Sequence, residues 1–386
     1  MNAVASLSEA FPTCTQDPQP TEDATTRLRL IETIARDNLT TKAVEIDEGH
    51  YPLEVMKDLA DAGSFGFHLT AEGIRFDLAI RAMEEISHAC GSTGFLTWSH
   101  DVMGLYLDQT PNIELRERML AAHTQGESFG GTALSNPMKA LAGIEPMLLK
   151  ASAVEGGWSV SGSLPWVSHI AEGQYCAAIA TVEQDRHLMF VLPLDGRAKL
   201  RHCPKFSGME GTSTFGITVS ELFVPSSDVI ADPAQPFILR IRAAFILLQT
   251  GMALGVIRGA IADMRQVEGH LGHVNQYLED GPDAMAQELD DLRDRILALA
   301  ATPYDTSKDY LLNVLDIRTE ASELSLRTTQ SALLHQGARG YLMTSAPQRR
   351  VREAHFVAIV TPAIKHLRWA MAELERDIVP TMEDVA

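Results

Sequence analysis

The apolar positions divide the chain into three zones of different period. From about Thr25 to Gln125 they recur at helical spacing. In LRLIETIARDNL, Leu28, Ile31 and Ile34 stand three residues apart, and PLEVMKDLADAG closes on Gly63, a natural helix stop. RFDLAIRAMEEISHACG carries a broad stripe of Leu78, Ile80, Met83, Ile86 and Ala89 and is expected to stop at Gly91. GFLTWSHDVMGLYL and IELRERMLAA predict two further helices.

The pattern changes between about Gly126 and Asp232. GGWSVSGSLPWVSHI, YCAAIATV, RHLMFVLPL and TFGITVSELFVP are short, β-branched and aromatic, broken by Gly, Pro, Asp and Ser. They predict an antiparallel β-domain, a barrel or sandwich. From Pro236 the helical period returns. PFILRIRAAFILLQTGMALGVIRGAIADM is apolar around most of its circumference, as a central bundle helix would be. AMAQELDDLRDRILALA, YLLNVLDIRTEASELSLRTTQSALLHQGARG and APQRRVREAHFVAIV complete a long-helix bundle. The expected class is therefore α+β. A mobile tail (1–24) precedes an N-terminal helical domain (25–125), a central β-domain (126–232) and a C-terminal helical bundle (233–386).

Composition narrows the function classes. The 386 residues hold 32 Lys and Arg against 51 Asp and Glu, a formal net charge of −19. That balance argues against nucleic acid or an anionic membrane as partner, since phosphate binding needs clustered basic surface. Cys14, Cys90, Cys176 and Cys203 lie far apart without CxxC spacing, which fits a reducing compartment. The first residues lack a basic n-region and an apolar h-region, so no secretory signal is read there. The apolar run Ala243 to Ile257 is read as too short to span a bilayer. A cytoplasmic protein is the expectation. GxGxxG after a strand, GxxxxGK[ST], HExxH and GxSxG are missing, and His270 with His273 make only a weak pair, so no metal site is expected.

Four segments, taken in order, resemble the acyl-CoA dehydrogenase superfamily of flavoproteins over roughly Arg27 to Leu374. GGTALSNP (Gly130–Pro137) is similar to the family motif whose backbone and hydroxyl touch the flavin, which points to Thr132, Leu134 and Ser135. GGWSVSGSLPWVSHIAEGQYCAAIA resembles the strands where a Trp packs on the isoalloxazine and a hydroxyl two residues later approaches N5. Those positions are Trp166 and Ser168, with Val167 between them. KFSGMEGTSTFGITVSELFVP resembles the Gly-Met-Arg-Gly-Ser segment. HQGARGYLMTSAPQRRVREAHF resembles the Gly-Gly-x-Gly-Tyr turn that supports the adenine side of FAD bound mainly by a neighbouring subunit, placing Gly337, Arg339 and Gly340 there. The chemistry is sensible: a flat redox ring needs an apolar wall and polar groups at its edge. A strand Trp can equally be core, and a Gly-x-x-Gly turn can equally be a helix cap.

The resemblance also implies a base that is missing. The family's Glu, which removes the substrate α-proton, falls on Thr361, followed by Pro362. The helix from Pro236 to Ala262, its second known location, contains no acid. A hydroxyl titrates too high to act as a good base. His100, His355 and Tyr341 are the remaining proton-handling candidates. Where the CoA-contacting segment is expected the chain reads Asn136-Pro-Met-Lys-Ala-Leu141, with Lys139 a candidate for a phosphate, and Glu268 stands where an FAD-gripping Arg is expected.

Three readings follow. The first is an FAD-dependent oxidoreductase of acyl-CoA dehydrogenase type, taking a hydride from an acyl-CoA or similar small-molecule substrate and passing electrons to an electron-transfer flavoprotein. The second is a two-component monooxygenase receiving reduced flavin, FAD or FMN, from a flavin reductase. The third is a non-catalytic homologue. The resemblance implies a homo-oligomer, a dimer or tetramer.

Overall fold

A computed structural model describes residues 21–183 and 186–376. The first helix, α1 (Glu22–Ile34), is capped by the Thr21 hydroxyl, which accepts from the Ala24 amide at 3.2 Å. It therefore starts inside the stretch read as tail; the rest of that stretch, residues 1–20, lies outside the described residues. A π-helical turn (Ala35–Leu39) leads to α2 (Thr40–Glu48), then α3 (Leu53–Asp61), α4 (Phe76–Ala89), α5 (Gly91–Gln109) and α6 (Ile113–Thr124). Gly91 begins a helix rather than only ending one. The break falls on extended Cys90, and the Gly91 amide donates to Glu353 Oε1 at 3.0 Å. A Cβ at Gly91 would sit 2.7 Å from the Glu353 carboxyl carbon, so only glycine admits that carboxylate.

The β-domain contains β1 (Gly130–Thr132), helix α7 (Ser135–Leu141), β2 (Leu149–Val154), β3 (Gly157–Val167), β4 (Tyr175–Glu183), β5 (Arg186–Pro193), β6 (Lys199–His202), β7 (Phe215–Pro225) and β8 (Val229–Ala231). The strand order is β6-β7-β3-β2-β4-β5-β8, with β1 added beside β4. Pairing is mostly antiparallel, as the strand pattern predicts, but β1 and β2 both meet β4 in parallel. Alternate residues fill a separate core that includes Val160, Leu164, Val167, Phe190, Ile217 and Val219.

The bundle comprises α8 (Ala234–Asn275), α9 (Pro282–Leu299), α10 (Lys308–Gln336), α11 (Ala346–Ile359) and α12 (Ile364–Arg376). The sequence pattern did not separate α12. Helix α8 runs well beyond the apolar run read from sequence. An 18-residue window within it has mean hydropathy 1.6, enough to cross a bilayer, but 94% of that window is buried inside the protein. The first six helices and the bundle share one continuous apolar core, joined through α4, α5 and α8. The β-domain packs beside it, and the candidate site lies where strand β3, helix α7 and the end of α11 converge.

Candidate functional site

The site begins with an irregularity in β3. Leu164 pairs with Ile217 and Val167 with Phe215, so β3 carries one extra residue there, a β-bulge at Pro165–Trp166. Proline suits a bulge because it has no amide to offer the ladder. The extra residue lets Leu164 and Val167 both point into the β-core, and it turns Trp166 outward with 61% of its surface exposed. An outward indole of that size is a binding surface looking for a partner. Ser168, two residues on, shares its side and is partly exposed.

Behind Ser168 runs a chain of hydroxyls. Ser168 Oγ lies 2.7 Å from Thr214 Oγ1, Thr214 Oγ1 lies 2.9 Å from Thr212 Oγ1, and Thr212 Oγ1 donates to the Met209 carbonyl at 2.8 Å. The turn carrying them is unusual: Met209 and Ser213 hold left-handed backbone, with φ of 60° and 47°. Buried Asp47 fixes it, accepting from the Met209 amide at 2.8 Å while pairing with Arg352 at 2.5 Å.

Across the cavity, α11 ends and Thr361-Pro362 turns the chain, because proline cannot extend the helix. Thr361 Oγ1 and exposed Ser135 Oγ, on α7, are hydrogen-bonded at 2.9 Å. Gln249 of α8 donates to the Thr361 carbonyl at 2.8 Å, and its side-chain oxygen accepts from Arg318 Nε at 3.0 Å. Arg318 is fully buried, and its other partners are Ser322 Oγ and the Val357 carbonyl. No carboxylate among the described residues pairs with it, and burial pulls its guanidinium down to about 10.

Ser135, Trp166 and Val167 line one cavity of about 320 Å³ together with Asn136, Lys139 and Glu145, at the small end of the range for ligand sites. Its one carboxylate is engaged. Glu145 accepts from Asn136 at 2.8 Å and pairs with Lys139 at 3.0 Å. Burial pushes that carboxyl up, but these two bonds outweigh it and hold it below its usual value. Lys139 is thereby partly neutralised as a phosphate ligand.

Residues 21–127 match the family model of the acyl-CoA dehydrogenase N-terminal domain. The mitochondrial short-chain specific acyl-CoA dehydrogenase of Bos taurus is 24% identical over 352 residues, 84% of this chain and 83% of that protein. Butyryl-CoA dehydrogenase from Megasphaera elsdenii has a TM-score of 0.80 at 16% identity, covering 93% of this chain and 99% of its own. Dibenzothiophene monooxygenase from Paenibacillus sp. A11-2 has a TM-score of 0.76 at 16% identity, covering 92% and 98%. Residues 21–127 thus carry the acyl-CoA dehydrogenase N-terminal domain, and the chain as a whole is similar to acyl-CoA dehydrogenases. Both dehydrogenases and flavin monooxygenases share its fold.

The residues present suit the superfamily's flavin ring. Trp166 offers an exposed flat wall, Ser168 a partly exposed hydroxyl on the same side, and Ser135 an exposed hydroxyl at the cavity edge. Val167 and Leu134 are 2% exposed, so only their backbone can face a ligand. Thr132 Oγ1 is bonded to Tyr106 at 3.1 Å. Gly337 caps α10 with φ of 60°, its amide bonding the Leu333 and Leu334 carbonyls, and Gly337, Arg339 and Tyr341 are exposed on this turn while Gly340 is buried.

The proton-handling candidates fall elsewhere. His100 is fully buried, stacked on His123 with centroids 3.7 Å apart, and its Nε2 bonds the His123 carbonyl at 3.0 Å. Burial, then the neighbouring His123 and His169, holds it well below its usual value, hence neutral. His355 is exposed and bonds its own helix at Val351, and Tyr341 is 76% exposed. Among the described residues, none of the three is hydrogen-bonded to Ser135 or Thr361. Sequence reading passed over Thr212, Thr214, Gln249 and Arg318. The GTST run gave a local signal for the threonines; nothing local marks the other two.

Proposed function

We propose that this protein is a flavin-dependent oxidoreductase of monooxygenase type, holding a reduced flavin against Trp166 and acting on a small molecule. The Thr361–Ser135 hydroxyl pair carries this reading. It stands at the end of α11, where α-proton removal would require a carboxylate, and no carboxylate among the described residues is bonded to either hydroxyl. The flavin, FAD or FMN, supplies the redox chemistry when bound. Trp166 would then wall one side of the ring and Ser168 and Ser135 would offer it their hydroxyls, while the Gln249–Arg318 pair keeps the Thr361 turn rigid. In this reading a flavin reductase is the partner, the chain is a homo-oligomer, and the compartment is the cytoplasm. Tyr341, Leu342 and Met343, each more than 60% exposed, supply apolar surface for a second copy.

A second reading, an acyl-CoA dehydrogenase feeding an electron-transfer flavoprotein, is favoured by the sequence relatives. One experiment separates the two. The purified protein is loaded with oxidised FAD under anaerobic conditions and mixed with short acyl-CoA esters. In parallel, it is mixed with reduced flavin and then air. We expect no bleaching by any ester and a prompt reaction of the bound reduced flavin with oxygen, whereas a bound flavin shielded from oxygen would favour the dehydrogenase reading. Bleaching by an acyl-CoA would overturn the monooxygenase reading.

A further inference from the structure

A hydroxyl carries one proton, so a chain of hydroxyls ending on a carbonyl has a direction. The Met209 carbonyl can only accept, so Thr212 spends its proton there, at 2.8 Å. Thr212 Oγ1 must then accept at 2.9 Å from Thr214, which spends the Thr214 proton. Thr214 Oγ1 must in turn accept at 2.7 Å from Ser168. Ser168 is left with lone pairs alone on its open side, beside Trp166.

The terminus of this chain is held from outside the site. The Met209 backbone is bound by Asp47, and Asp47 by Arg352, so the anchoring carbonyl has little freedom to move. Thr212 is 4% exposed, which keeps water from offering its proton another acceptor. Reversing the chain would break the Thr212 bond to Met209, leaving that carbonyl only the longer bond from the Thr212 amide at 3.2 Å.

We infer that Ser168 is a fixed hydrogen-bond acceptor and that Thr212 and Thr214 are the positioning residues that make it one, so that the site selects a ring bearing an N–H over the same ring bearing a bare nitrogen. Resting on the flavin reading above, this distinguishes the two redox states. Reduced flavin presents N5–H, a donor that Ser168 accepts. Oxidised flavin presents N5 as an acceptor, and two sets of lone pairs then face one another. The net worth of one hydrogen bond makes the chain's contribution a roughly five- to tenfold preference for the reduced ring. For a two-electron couple, tenfold raises the bound flavin's potential by about 30 mV.

The test is the ratio of dissociation constants for oxidised and reduced FAD, measured anaerobically for the wild type and for T212V, T212S, T214V and S168A. Thr212→Val keeps the shape and the amide bond to Met209 but frees Thr214 to turn its proton toward Ser168. Thr214→Val removes the acceptor of Ser168 directly. We expect the reduced-flavin preference to fall five- to tenfold in T212V, T214V and S168A and to be retained in T212S. The T212V/S168A double variant should fall no further than S168A alone. Unchanged ratios in T212V and T214V, with thermal melts like the wild type, would overturn the inference while leaving the flavin site standing. Wild-type protein that binds neither form would overturn the flavin reading itself, and this inference with it.

Discussion

His169 offers a quantitative check on how dry the junction between the helical core and the β-domain is. It follows Ser168, holds left-handed backbone with φ of 59°, and is fully buried. Its Nδ1 lies 3.0 Å from the Tyr51 hydroxyl, while its Nε2 has no partner among the described residues. Burial, and then the nearby His123, lowers its pKa from 6.5 to about 3. As pH falls below 6.5 the unfolded chain binds a proton at this residue that the folded chain refuses until about pH 3. Its contribution to stability is therefore present above pH 6.5 and lost on acidification. By linkage the loss is about 1 kcal/mol at pH 6 and about 2 kcal/mol at pH 5. Buried His68, His100 and His123 share this direction and buried Asp101, whose carboxyl is pushed well up by burial, works in the opposite one, so the wild-type curve alone mixes them all. A difference between variants removes that overlap. His169→Asn tolerates left-handed backbone and has no titrating group. Urea unfolding followed by tryptophan fluorescence should show the stability gap between wild type and H169N shifting by about 2 kcal/mol, against the wild type, from pH 8 to pH 5. A gap constant to within about 0.5 kcal/mol would refute the reasoning, because His169 would then be taking up its proton in the native state.

Three further outcomes follow from the same geometry. Gln249→Leu strands the buried Arg318 guanidinium and should cost about 2–4 kcal/mol in urea unfolding; pairing it with Arg318→Met should recover part of that loss, and strict additivity would refute the coupling. Trp166→Ala removes a mostly exposed side chain, so stability should hold within about 0.5 kcal/mol while flavin affinity by fluorescence titration drops about three- to tenfold. Arg352→Met leaves Asp47 buried without its ion pair and should lower stability by about 3–5 kcal/mol; a variant as stable as wild type would show that Asp47 is not held as a buried charge.

Much of the architecture was legible because period and punctuation are local properties. Gly63 ends α3, with φ of 74°, as its place after the apolar stripe indicates. The stripe on α4, Leu78 to Ala89, is buried as read. The four named strand segments became β3, β4, β5 and β7. Where local signals competed, reading was poorer. Gly91 looks like a stop but opens α5, because a carboxylate 262 residues away in sequence occupies the space a side chain would need. The apolar run of α8 looks shorter than the helix it belongs to, because beyond it only one side stays buried, through Ile261, Met264 and Val267, and the last turns are exposed.

The sequence by itself determined that three zones of secondary structure follow in this order, that a Trp-x-Ser strand exists, and that no acid stands at Thr361 or between Pro236 and Ala262. All of these are properties of neighbours along the chain. Only the tertiary structure decided that Trp166 faces outward, because strict alternation would have put it on the side of Leu164; the bulge, formed against β7, placed Val167 there instead. Only the tertiary structure brought Ser135 to Thr361, Gln249 to Arg318, and Ser168 through two threonines to the Met209 carbonyl. Hydrogen bonds between distant segments depend on where backbones are carried by packing, and no residue's own identity encodes the direction in which its proton will point.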